Sequence, residues 1–129
     1  MVAPHQILLF VESRYKVNRK RIKKTVLESL AKQGVETPVE ISVGVIGDRK
    51  MHALNKKYRN LDKTTNVLSF SLTEGGSIGP ENSVYKRLGD VLVSYPEVIK
   101  EAIRDEVLVD EKIDELVNHG VLHLLGIHH

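Results

Sequence analysis

Four of the six histidines in this 129-residue chain fall within its last eleven positions, "HGVLHLLGIHH". Three of them, His119, His123 and His129, follow the spacing H-x3-H-x5-H, with Gly126 between the second and third. Residues four apart on a helix lie about 40° apart around the axis and one turn up, so His119 and His123 can point at one ion. A third ligand has to come from beyond the helix, and a glycine at 126 permits the reversal that lets His129 supply it. Three neutral imidazoles suit a single zinc ion per chain and leave a fourth position for water or substrate. Zinc lowers the pKa of such a water to about 7 in favourable sites, which gives a nucleophile at neutral pH. A bare H-x3-H pair is often two surface or core histidines; the glycine and the third histidine make the case for a metal.

The same spacing occurs in the extended zinc-peptidase motif H-E-x-x-H-x-x-G-x-x-H, whose glutamate takes a proton from the metal-bound water. Here Gly120 stands in its place. Ordinary peptidase activity is therefore not expected, and the glycine is expected to clear room beside the metal for a bulky substrate. A second constellation lies in "LNKKYRNLDKTTNVLSF", which sets Lys56, Lys57, Arg59 and Lys63 close together, with Arg59 at a helix end. Arginine grips phosphate through two parallel hydrogen bonds and stays charged. Basic residues at a helix C-terminus also serve its dipole, so the pattern has two readings. Between Arg14 and Lys24 there are seven basic residues and no acid, Arg19, Lys20 and Lys23 among them. With a net charge of only +2, it is this clustering that suggests an anionic ligand; a solvated helix face is the plainer alternative.

These groups need elements to position them. "QILLFVES" reads as a buried strand. Asn18 is placed to cap a helix reaching Gln33, with Ile22, Val26, Leu27 and Leu30 inward and Gly34 as its stop. "VEISVGVI" alternates like a half-buried strand, and a short helix carrying Met51, Leu54 and Tyr58 on one side follows. "NVLSFSL" and "GDVLVS" are two more strands, separated by a long surface loop over 73–86. Ser94-Tyr95-Pro96-Glu97 fits a capping box opening a helix to about Asp105. The last helix is expected from near Asp110 to about Leu125. After Asn118 its non-histidine residues are apolar or glycine, so it should be enclosed by protein, with His119 and His123 largely buried. The expectation is one α+β domain over residues 1–129: a four-stranded mixed sheet with helices, and the C-terminal metal-binding helix central. No cysteine is present, which excludes disulfides and thiolate metal sites. The start of the chain reads as neither signal peptide nor membrane span, and a cytoplasmic protein is expected.

Three stretches together resemble the YbeY-type rRNA maturation endoribonucleases. The family's pattern is close to L-N-x-x-Y-R-x-x-D-K-x-T-D-V-L-S-F, then L-G-D-I-x-I-S, then H-G-x-L-H-L-x-G-x-D-H. This chain has Leu54 to Phe70, "LGDVLVS" from Leu88 to Ser94, and His119 to His129, in that order. The resemblance implies that His119, His123 and His129 hold zinc and that Arg59 holds the scissile phosphate. It also implies cleavage of single-stranded RNA in 16S rRNA 3′ processing and ribosome quality control, with the ribosome or its associated proteins as partners. Lys63, Arg19, Lys20 and Lys23 are candidate substrate contacts; His128, Asn66 and Asp90 are candidate supports of the ligands. Two departures stand out: His128 and Asn66 occupy positions where the family has aspartate. Two other functions fit the same residues, a ribosome-assembly module with a structural zinc and a zinc hydrolase of another phosphoester. RNA binding should weaken steeply with salt, which a small-molecule hydrolase would not show.

Overall fold

The computed structural model describes residues 5–72 and 85–127. Its elements run β1 (Gln6–Val11), α1 (Arg19–Lys32), β2 (Val39–Ile46), α2 (Asp48–Arg59), β3 (Val67–Ser71), β4 (Lys86–Ser94), α3 (Tyr95–Asp105) and α4 (Val109–Leu124). The four strands form one mixed sheet in the order β1-β2-β4-β3. β1, β2 and β4 run parallel, and β3 closes one edge antiparallel to β4, with Ser69 opposite Val91 and Phe70 opposite Asp90. This is the expected α+β architecture. The loop expected over 73–86 lies mostly outside the described residues, and β4 already begins at Lys86.

Strand alternation sends Ile41, Val43, Val45, Val91 and Val93 to one face, where they meet α1, α3 and α4 in the main core. Among the described residues only α2 covers the other face, where its Met51 packs on Ile46 of β2 and Leu68 of β3. β1 is consequently not the buried strand its composition suggests: it lies at an edge, and Leu8 and Phe10 point to the thinly covered face. Leu27 is likewise exposed rather than inward. The inward strip of α1 carries Ser29 instead, whose one hydroxyl proton lies between two acceptors, Asn118 Oδ1 at 2.6 Å and the Thr25 carbonyl at 2.9 Å.

Local signals fix the helix starts. The Asn18 side chain accepts from the Arg21 N–H at 3.1 Å. Ser94 ends β4 and caps α3, accepting from the Glu97 N–H while its own hydroxyl donates to Asp48 Oδ1 at 2.7 Å. One fully buried serine thus joins a strand end, a helix start and the first residue of α2. Among the described residues no helix is long and apolar enough to cross a membrane.

Candidate active site

At 100° per residue, α4 presents three different strips. Ile113, Val117, Gly120 and Leu124 face the sheet and are buried. Asp114 and Asn118 face α1, where Asp114 accepts from Arg21 Nε at 2.9 Å and from Thr25 Oγ1 at 2.8 Å. The third strip carries His119 and His123. It runs along the β3 edge, where His119 is exposed and His123 half-buried. Central packing and an open histidine strip coexist on one helix, so the expected burial of both imidazoles does not hold.

The two imidazole rings lie side by side, centroids 4.4 Å apart and tilted by 41°. The helix ends just beyond them, and Gly126 takes φ +80°, with the Ile127 N–H returning to the Leu122 carbonyl at 2.9 Å. That reversal is the one the third ligand would need. His128 and His129 lie outside the described residues, and among the described residues no three metal-ligating side chains gather at one point. Two imidazoles a turn apart, at the negative end of a helix, suit a divalent cation.

Position 120 shows why no glutamate follows His119. A β-carbon there would overlap Val91 Cγ1 and come within 3.0 Å of Cγ2. The glycine therefore brings α4 close against β4. It does not clear space beside a metal, as the sequence had suggested, because position 120 faces the sheet.

Arg59 is the last residue of α2, and Asn60 stops that helix in the left-handed conformation. The Arg59 side chain wraps the β3 edge, donating from Nη2 to the Ser69 carbonyl at 2.6 Å while its Cζ sits 5.1 Å from the Phe70 ring centroid. Tyr58 meets the same Phe70 ring edge-on at 5.3 Å. Arg59 and His123 line one cleft of about 570 Å³, together with Phe70, Ser71, Lys86 and Gly126. Phe70 and Lys86 were not foreseen. Alternation of β3 could have placed Phe70 on the α2 face, but Lys86 reads as the end of a polar loop.

His119 borders a smaller crevice of about 220 Å³ on the same edge, beside Asn66, Glu101, Lys112 and Glu115. Asn66 Nδ2 donates to Glu101 Oε1 at 3.3 Å, and its carbonyl accepts from the Ser94 N–H. Lys112 is almost wholly covered and donates to Asp105 at 2.7 Å and Glu115 at 2.5 Å. Hydrogen bonds from Arg104 and then Lys112 hold the Asp105 carboxyl far below its ordinary range. This network ties the end of α3 to the helix bearing the histidines.

Other sequence candidates lie elsewhere. Asp90 is on the sheet face opposite α4, in a groove with Leu8, Phe10, Ser42 and Leu92. It cannot support the histidines from there, since Val91, its neighbour, is the residue that faces α4. Burial raises its pKa, opposed by Arg87 and by a hydrogen bond with Ser42. Arg19, Lys20 and Lys23 are exposed on α1, which covers the side of α4 turned away from the histidine strip. Lys63 is exposed in the turn after α2, where its carbonyl accepts from Asn55 Nδ2. None of these four lines the cleft.

A family model described as Endoribonuclease YbeY matches residues 10–129. Curated proteins of that name are similar along most of the chain. The one from Aquifex aeolicus is 35% identical over 97% of this chain and 78% of its own length. The one from Desulforamulus reducens is 34% identical over 85% of this chain and 72% of its own. That from Rhodospirillum rubrum is 42% identical over 72% of this chain, but the match spans only 46% of the longer relative. A solution structure of a Thermotoga maritima protein shares the fold, with a TM-score of 0.59 at 24% identity over 92% of this chain and 71% of that one.

Proposed function

The chain belongs to the YbeY endoribonuclease family, and from that premise we propose that it is a zinc-dependent, single-strand-specific endoribonuclease of ribosomal RNA maturation. In this reading residues 1–129 act as one cytoplasmic domain, in 16S rRNA 3′ processing and ribosome quality control, with the ribosome or its associated proteins as partners. The observation that carries it is the cleft in which Arg59, from the end of α2, and His123, from the end of α4, come together with no carboxylate among the described residues of the lining.

His119, His123 and His129 would hold the metal, which supplies a Lewis acid and a water more acidic than bulk water. Arg59 keeps its guanidinium at the cleft through Ser69 and Phe70, oriented before substrate arrives. Its role is to bind the scissile phosphate and stabilise the charge that builds on it as the P–O bond breaks. Gly120, turned into the sheet, contributes no proton acceptor, so a nearby carboxylate base of the peptidase kind is not part of the scheme.

Metal content measured by mass spectrometry, alongside cleavage of a labelled single-stranded RNA, tests this reading. The wild type should carry about one zinc per chain and cleave the RNA. His123→Ala should lose both. Arg59→Ala should keep the metal and lose cleavage by a factor of roughly 10² or more. Bound zinc without cleavage by the wild type would favour an assembly module with a structural metal.

A further inference from the structure

Lys86 opens β4 and lines the same cleft as Arg59 and His123. It is exposed, and among the described residues no carboxylate is paired with it or with Arg59. Its neighbour differs: Arg87 is paired with Glu40 at 2.8 Å. A cleft whose described residues include two cations and a histidine, and no acid, is a site for more negative charge than one phosphate carries.

The distance between the cations along the sheet decides what they can share. The Arg59 guanidinium is held at the Ser69 carbonyl, and Ser69 lies opposite Val91 on β4. A bulge at Leu88 shortens β4, so that Lys86 and Val91 stand opposite Val39 and Val43 of β2, four strand residues or roughly 13 Å apart at about 3.3 Å each. The four-carbon stem of lysine reaches across less than half of that. The Lys86 head is thus rooted farther along the strand than the guanidinium, on the path that a neighbouring phosphate of the same backbone would take.

On the nuclease reading above, we infer that Lys86 grips a phosphate flanking the scissile one, so that the cleft selects a polynucleotide over an isolated phosphodiester. Lys86 is then a substrate-binding residue for the length of the RNA and takes no part in bond breaking. A lysine is suited to this: a compact charge on a flexible stem follows a backbone phosphate without demanding one geometry.

The test is initial-rate cleavage of a labelled single-stranded RNA decamer by the metal-loaded wild type, Lys86→Gln, Lys86→Arg and Lys32→Gln, at salt from about 50 to 200 mM. Lys32 is exposed at the far end of α1 and controls for loss of net charge. Lys86→Gln should raise KM roughly three- to fivefold with kcat within about twofold of wild type. The slope of log KM against log salt should fall by about 0.7, one phosphate contact on a single strand. Lys86→Arg should restore both, and Lys32→Gln should match wild type. Unchanged KM and slope in Lys86→Gln would overturn the inference, as would an equal loss in Lys32→Gln, or a fall in kcat at constant KM. A wild type that leaves the decamer intact would instead overturn the nuclease reading, and this inference with it.

Discussion

Gly120, next to His119 in the helix, is pressed against the sheet, with Val91 where its side chain would be. Gly120→Ala should destabilise by about 1–3 kcal/mol through overpacking, partly offset by about 1 kcal/mol of better helix propensity. A lowered thermal midpoint with metal content retained would agree; an unchanged midpoint would mean that Val91 moves aside. The carboxylates give a second prediction. Asp105 is held below its ordinary value of about 4 by Arg104 and Lys112. On acidification the unfolded chain therefore takes up the proton first, so the stability from this group is full above pH 4 and lost below it. Asp105→Asn should flatten the acid limb of a stability-versus-pH curve. Asp90 runs the other way: with its pKa raised by burial, its charge opposes folding at neutral pH. Asp90→Asn should raise the melting midpoint near pH 7 and have no effect once both states are protonated. At this scale spacing alone foretold the helical histidine pair and the glycine reversal after it. Which way Gly120 and Asp90 point was hidden, because both directions depend on how a helix and a strand meet.

The helix starts were legible because their signals are local. Asn18 and Ser94 cap their helices within four residues of themselves, and the structure has both bonds. What no local signal carries is the second job of Ser94, its bond to Asp48 at 2.7 Å, 46 residues away in sequence. Ser94→Ala removes a cap and takes the strongest donor from Asp48 Oδ1, leaving Thr64 at 3.3 Å. A loss of about 1–3 kcal/mol is expected in denaturant unfolding; a change below about 0.5 kcal/mol would show that solvent replaces the bond. The edge position of β1 was equally illegible, since an apolar run looks the same in the middle of a sheet and at its border. Its exposed Leu8 and Phe10 record a face that, among the described residues, only α2 covers.

For the molecule as a whole, the mixed sheet with the histidine helix packed against it was foreseen. The site itself was only half foreseen. Arg59 and His123 are 64 positions apart, and they meet because β3 turns antiparallel at the sheet edge and lets α2 and α4 approach it from opposite faces. The basic stretch on α1 was the clearest charge signal in the sequence, yet α1 stands on the other flank of α4. Its cations act on an approaching polyanion only through the long-range field, which salt screens over about 10 Å. Replacing Arg19, Lys20 and Lys23 together by Gln should slow RNA capture at low salt and leave kcat unchanged. Stopped-flow binding with turnover measured beside it would check this, and a matching fall in kcat would contradict the geometry.

α4 follows every other described element in the chain, and it alone packs on α1, α3, β3 and β4 while bearing the histidine pair. During synthesis at about 5–20 residues per second, the sheet waits for this helix before its main apolar face can close. The histidine pair and the helix that closes this face thus arrive in the same sixteen residues. Until this helix docks, neither the main core nor the cleft between Arg59 and His123 is complete.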